Sequence, residues 1–325
     1  MSERKTVLSG IKSTGRSHLG NYFGAMKQFL ALQELGHELF VFVADYHSLT
    51  SARDANVLRE ETMAIAIDYL AIGLDPDKTH LFRQSDIPEI PELSWILACV
   101  CPKGFLDRAH AFKDAKAKGE DLNAGTYTYP ILMAADILAY GSHLVPVGKD
   151  QAQHVEYAQD LQGKFNHEFG EEVLVRPEPM IQSETGLILG PDGEKMSKSR
   201  GNVIELFEPV KSFEKKLKRI KTDSKTVEEP KDPDTCPVMT LYKLFDPEGV
   251  PALEEKYRAG GMGYGVAKQA LIDATRAELD PHRERRAELE ADLGSVEAVL
   301  VKGAEAARER AGEILGRVRR ACGLD

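Results

Sequence analysis

Four cysteines in 325 residues are too few and too scattered for a disulfide framework, and only Cys99 and Cys101 lie near each other. That pair is either two metal ligands or the packed end of a helix. No second Cys or His pair follows at zinc spacing, so no metal site is expected from cysteine. Long apolar runs are missing as well. None approaches the roughly 20 residues that span a bilayer, and Met1-Ser2-Glu3-Arg4-Lys5 leads into a strand-like run with no signal-peptide core. The expectation is a cytoplasmic protein with no membrane partner. Positive charge is not in excess either: a net charge of -10 excludes general affinity for polyanions, so an RNA partner has to be met by local basic patches. Internal repeats, coiled-coil heptads and low-complexity tails are also lacking. What remains, 42% hydrophobic and 29% charged residues, suits a soluble chain with one large domain and a smaller one.

The most informative stretch runs from Gly190 to Asn202, Gly-Pro-Asp-Gly-Glu-Lys-Met-Ser-Lys-Ser-Arg-Gly-Asn. Its glycines and Pro191 stop both helix and strand, which places Lys195, Ser197 and Lys198 on a mobile surface loop. Two lysines on such a loop can follow charge as it moves onto a departing phosphate; the plainer reading is a solvated basic turn.

Taken in order, Val7 to Gly10 reads as a strand containing Leu8. A turn with Lys12, Ser13, Thr14 and Gly15 follows, then a helix with apolar residues at Leu19, Phe23, Met26 and Leu30. A strand, a glycine turn and a helix N-terminus offer an anion site, with His18 and Asn21 as hydrogen-bonding groups and Gly20 allowing close approach of a planar ring. Glu38 to Ala44 reads as a buried strand that ends in Asp45-Tyr46-His47-Ser48, and Thr79 to Arg83 as a third. Strands alternating with helices imply a parallel sheet, in which polar groups at the carboxyl ends face the ligand crevice. His47 is either such a group or an ordinary loop histidine.

Tyr127 to Tyr140 reads as a helix with Pro130 in its first turn and Tyr129, Met133 and Asp136 on one face. A carboxylate among apolar neighbours either meets a ligand donor or turns to solvent. Leu144 to Gly148 reads as a strand that delivers Lys149-Asp150-Gln151 to a helix start. Residues 103–119 are basic and alanine-rich, and their lysines either touch phosphate or form a solvated face. From about Ile204 the strands stop and charged helices take over, with basic clusters at Lys211 to Lys225 and at Arg308, Arg310, Arg317, Arg319 and Arg320. These patches are RNA-facing or simply solvated.

Lys195-Met196-Ser197-Lys198-Ser199 resembles the second signature of class I aminoacyl-tRNA synthetases, and His18-Leu19-Gly20-Asn21 resembles the first, with Leu for Ile and Asn for the last His. With Gln84-Ser85, Asn123 to Leu138 and Leu144 to His154 added, nearly the whole chain resembles the bacterial-type tryptophanyl-tRNA synthetases. The resemblance implies an α/β fold: a Rossmann-like parallel-sheet catalytic domain over residues 1–204 and an all-helical anticodon-recognition domain over 205–325. It implies ATP with Mg²⁺, L-tryptophan and tRNA(Trp) as ligands, and a homodimer. Lys12, Gly20, Asn21, Asp150, Met196, Ser197 and Lys198 are then expected at ATP, with Lys195, Lys198 and His18 acting in catalysis. Leu8, His47, Tyr129, Met133, Asp136 and Gln151 are expected around the amino acid. The likeness leaves a tyrosyl enzyme or a catalytically reduced homologue as alternatives. Three positions depart from the family pattern. Ser13 stands where relatives often carry Pro, implying a looser turn, Lys12 replaces a frequent Gln, and Phe112-Lys113-Asp114-Ala115-Lys116 has its lysines shifted.

Overall fold

A computed structural model describes residues 4–13, 15–108, 123–148, 152–170, 172–181 and 188–324. Five parallel strands form one sheet in the order β3-β2-β1-β4-β5. They are β1 (Thr6–Ile11), β2 (Glu38–Val43), β3 (Thr79–Arg83), β4 (Leu144–Val147) and β5 (Glu178–Ile181). The four strands expected from sequence are present. The fifth, Glu-Pro-Met-Ile, lacks a continuous apolar run and lies at an edge of the sheet, where none is needed. Strand order reverses between β1 and β4, so the crevice at their carboxyl ends is the topological switch point where α/β sheets bind ligands.

Buried apolar side chains cover both faces of this sheet. One cluster runs without a break from Leu19, Val41 and Ile65 into Phe213, Met239 and Leu271, and the other joins Phe40, Phe42 and Phe82 to Ile131, Ala134 and Leu161. The helix after β1 is composite. It opens as α1 (Leu19–Asn21), passes through a π turn at Tyr22–Met26 and continues as α2 (Lys27–Glu34). Such π turns commonly sit beside functional sites. After β2 come α3 (Asp45–Ser48) and α4 (Ala55–Ala71), the latter capped by Asp54, whose carboxylate accepts from Asn56 N–H at 2.8 Å. After β3 come α5 (Glu89–Val100), α6 (Lys103–Leu106) and α7 (Ala124–Leu138). α7 starts a turn earlier than its apolar pattern suggests because Asn123 caps it, accepting from Thr126 N–H at 3.0 Å. Pro130 therefore falls in the second turn. α8 (Ala152–Phe169) connects β4 to β5.

Beyond β5 the regular elements among the described residues are helical, chiefly α9 (Val210–Lys218), α10 (Pro237–Phe245), α11 (Val250–Ala259), α12 (Tyr264–Ala291) and α13 (Leu293–Cys322). α12 lies on the sheet's helices. Arg286 Nε donates to the buried Asp68 carboxylate of α4 at 2.9 Å, and Glu278 accepts from Tyr22 Oη at 2.6 Å and Lys27 Nζ at 2.9 Å. α13 returns to the sheet and crosses its edge strand, with Val296 and Leu300 in one apolar cluster and Ala304, Ala307 and Ala311 in the other. Its arginines fasten it there. Arg310 Nε donates to Tyr140 C=O at 3.1 Å, Arg308 lies 3.5 Å from Glu89, and Arg319 pairs with Glu92. These three are tied to the sheet half, so part of the basic row read from the sequence is paired within the chain. No helix among the described residues is long and apolar enough to cross a membrane.

Gly303 makes the crossing possible: a Cβ there would stand 2.0 Å from the Leu81 carbonyl oxygen of β3. Backbone cannot yield as a flexible side chain can, so Gly303→Ala should cost about 2–3 kcal/mol of stability by overpacking. Gly312→Ala, on the same helix with nothing within 4 Å, should be neutral or stabilise by about 0.5–1 kcal/mol. Urea unfolding of the full chain compares the two; equal midpoints would mean that the helix does not rest on β3.

Candidate active site

The turn after β1 and the start of α1 form the first half of the site. His18 is the N-cap of α1: its Nδ1 accepts from Gly20 N–H at 3.1 Å, and Asn21 Oδ1 accepts from His18 N–H at 3.1 Å. Gly20 is required here because a Cβ would lie 2.8 Å from the His18 ring. His18's own imidazole thus occupies part of the space that this glycine leaves open. An accepting Nδ1 places the proton on Nε2, which leaves an N–H to offer a ligand. Burial, together with the Lys198 charge, lowers the His18 pKa to about 4, so the ring is neutral near pH 7. Ser13, fully buried, shares a 2.8 Å hydrogen bond with Ser48 Oγ, whose hydroxyl also reaches Ser13 C=O at 3.2 Å. The turn expected to be loose without proline is instead tied to α3.

The second half is the lysine loop. Leu189 and Lys195 bridge antiparallel, Met196 N–H donates to Ile188 C=O at 2.8 Å, and the Met196 side chain is buried in the core. Met196 therefore anchors the loop through its side chain. Asn202, which motif reading leaves without a role, organises the rest. Its Oδ1 accepts from Ser197 N–H at 2.8 Å, and its Nδ2 donates to Asp192 at 2.9 Å and to Lys195 C=O at 3.1 Å. Just past the loop, Leu19 N–H donates to Ile204 C=O at 3.0 Å and Leu206 N–H to Ser17 C=O at 2.8 Å, which joins the two signature segments. The result is direct proximity. The Lys198 ammonium lies 3.6 Å from where a Gly15 Cβ would stand, and Gly15 itself adopts φ +64°. Lys195 is exposed on the loop.

The third group lies at the ends of β2 and β3. Asp136, on α7, is 2% exposed and its carboxylate is already met: His47 Nε2 lies 2.9 Å from Oδ2, and Gln84 Nε2 donates to both oxygens at 2.9 Å. Burial pushes the Asp136 carboxyl pKa up, while the hydrogen bonds from His47 and Gln84 oppose the shift. The solvent-facing alternative for Asp136 and the ordinary-loop alternative for His47 do not hold. Tyr129 packs edge-on to His47 with ring centroids 6.1 Å apart, and Met133 is half-buried on the same helix. A cavity of about 160 Å³ opens beside them, walled by Tyr46, Thr50, Asn123 and Tyr129. Lys12 Nζ reaches Thr50 Oγ1 at 3.1 Å, which puts a cation at the cavity's rim. A larger groove of about 370 Å³, between Glu89 and Glu92 of α5 and Gly316 of α13, is lined by none of the motif residues.

Leu8 is fully buried within β1, in the apolar cluster of Phe40 and Ile131. Asp150, Gln151 and the lysines of 113–118 lie outside the described residues. Sequence reasoning passed over the roles of Gln84, Asn202 and Asp45. The last accepts from Ser85 N–H at 3.0 Å and so ties the end of β3 to the start of α3. The signal that could have found them is position, since each is a short polar residue where a strand or loop ends.

The His18 geometry is testable alone. In the ligand-free protein, the His18 ring signals, identified by their loss in His18→Asn, should titrate by NMR with a midpoint near pH 4. A midpoint near 6.5 would mean that the ring is solvated and its Nδ1 contact absent.

Comparison with known proteins gives the family. The family described as tRNA synthetases class I (W and Y) matches residues 1–280. A tryptophan–tRNA ligase of Rhodopirellula baltica is 51% identical over 319 residues, covering 98% of this chain and 99% of its own. Another, of Fusobacterium nucleatum, is 46% identical over 321 residues and 98% of both chains. A solved tryptophanyl-tRNA synthetase of Campylobacter jejuni, complexed with ADP and tryptophan, is 41% identical with a TM-score of 0.92, covering 98% of this chain and 100% of that one. With both signatures adjoining at the switch point of a parallel sheet, and this likeness along almost its entire length, the chain belongs to the bacterial-type tryptophanyl-tRNA ligases, class I enzymes that join tryptophan to its tRNA.

Proposed function

We propose a division of labour within that ligase activity. His18, Gly20, Asn21 and the lysine loop bind ATP, while His47, Tyr129, Met133 and Asp136 surround the tryptophan side chain. Lys12 faces its carboxylate from the cavity rim. Asp150 and Gln151 complete the two sites. Residues 205–325 recognise the tRNA, with α13 as the brace between that half and the sheet.

In the first step the tryptophan carboxylate attacks the α-phosphorus of ATP; a carboxyl–phosphorus bond forms and pyrophosphate leaves. In the second, a terminal ribose hydroxyl of the tRNA attacks the adenylate carbonyl and AMP leaves. Neither step uses a protein nucleophile, so the residues act by positioning and by meeting charge. His18 offers a neutral N–H to the nucleotide, while Lys195 and Lys198 follow the negative charge onto the departing pyrophosphate. Mg²⁺ accompanying ATP would supply neutralisation of phosphate charge at this site.

Lys211, Lys215, Lys218, Arg219 and Lys221 are exposed on and just after α9 and supply a local basic face for RNA on an acidic chain. Pairing of two copies is supported by α5, where Trp95 is 72% exposed with Pro91 and Cys99 one turn either side. An indole left in water on a helix face favours an interface.

The observation that carries the assignment is the Lys198 ammonium beside Gly15. Lys198→Ala should slow tryptophan-dependent ATP–pyrophosphate exchange by roughly a hundredfold and leave the tryptophan KM within about twofold. Unchanged exchange would remove the loop from the chemistry. Because the Asp136 charge is already compensated, its loss should be moderate. Asp136→Ala should lower kcat/KM for tryptophan by about 2–3 kcal/mol, roughly 30- to 150-fold, and narrow the discrimination against phenylalanine. A change under about threefold with selectivity intact would make Asp136 structural.

A further inference from the structure

Gln84 opens the single 3₁₀ turn after β3 and is 1% exposed, with both ends of its amide engaged. Nε2 spans the Asp136 carboxylate at 2.9 Å to each oxygen, and Oε1 accepts from His47 N–H at 3.4 Å. The amide can point only this way. Reversed, its oxygen would face a carboxylate and its NH₂ a backbone N–H. A donor shared between both oxygens also fixes the plane of the carboxylate, since rotating the group lengthens one contact.

The two oxygens are not equivalent. Oδ2 accepts from both His47 and Gln84, whereas Oδ1 accepts only from Gln84 among the described residues. Each carboxylate oxygen carries two lone pairs, so acceptor capacity is left on Oδ1. Gln84 is itself held in place. Arg83, the residue before it, pairs with Asp86 at 3.4 Å and donates to Glu297 of α13 at 2.9 Å.

We infer that Gln84 is a specificity-determining positioning residue that sets the Asp136 carboxylate so that Oδ1 is presented to the indole N–H of tryptophan. The inference rests on the reading of Asp136 as the selector. Gln84 acts through Asp136 and not on the amino acid. A carboxylate fixed before the ligand arrives gives up less freedom on binding, and its directed lone pair rejects an indole-like ring that lacks the donor.

The test uses an amino acid of nearly the same shape that cannot donate: 3-benzothienyl-L-alanine, in which sulfur replaces the indole N–H. In exchange assays on the full chain, the tryptophan KM is compared with the Ki of this analogue. Gln84→Met removes the donor at similar length. It should raise the tryptophan KM at least tenfold, while the analogue's Ki moves less than threefold and the ATP KM less than twofold. A general packing defect would weaken tryptophan and the analogue alike, and that outcome, or a tryptophan change under threefold, overturns the inference. If Gln84→Met does not fold, Gln84→Glu, which keeps the acceptor for His47 N–H, reads the same ratio with the same expectation. Asp136→Ala run in parallel separates the two claims. If it leaves the tryptophan-to-analogue ratio unchanged, the selector reading falls; if it collapses the ratio and the Gln84 variants do not, only the role of Gln84 falls.

Discussion

Two backbone hydrogen bonds, from Leu19 N–H to Ile204 C=O and from Leu206 N–H to Ser17 C=O, hold the two signature segments side by side, and the proposed nucleotide chemistry depends on that pairing. Each segment alone is ordinary, one a capped helix start and the other a basic turn. Paired, they set a neutral imidazole and a lysine ammonium around one glycine turn. The charge that helps keep His18 unprotonated is therefore supplied by the loop that would follow the pyrophosphate. Asn202 sustains the arrangement from behind, because a single amide ties three parts of the loop and makes its shape a property of hydrogen bonding rather than of glycine content.

At the amino-acid end the governing constraint is a buried negative charge. A carboxylate as enclosed as Asp136 is tolerable only with donors, and the fold draws them from the ends of two strands, His47 after β2 and Gln84 after β3. This compensation changes the physical basis of selection. Asp136 does not wait as an unpaired ion for its ligand. On the proposed reading, what distinguishes an indole is one remaining acceptor direction on an otherwise satisfied group, a more modest and more directional preference.

Much of this was legible in the sequence because it rests on local rules. Short apolar-rich segments gave four of the five strands, the glycine-punctuated stretch gave the lysine loop, and helical spacing put Tyr129, Met133 and Asp136 together. What stayed hidden depends on partners distant in the chain. The start of α7 was misplaced because Asn123 caps it a turn ahead of the apolar pattern, and β5 was missed because an edge strand needs no apolar run. Ser13 looked like a loss of rigidity until Ser48 came alongside. The arginines of α13 formed a basic row in sequence, yet Glu89, Glu92 and the Tyr140 carbonyl, all from the other half, take up three of them. Charge patterns record sign and spacing but not what is opposite.

The crossing of β3 by α13 bears on how the chain is made. β3 is an edge of the parallel sheet, and an uncovered edge offers unpaired N–H and C=O groups to any other strand. Its cover, α13, lies far later in the chain. During synthesis the nascent sheet must keep that edge bare until α13 has been made, since neither Gly303 nor the anchoring arginines exist earlier. The interval between completion of β3 and the seating of α13 is thus a period of exposure to mispairing.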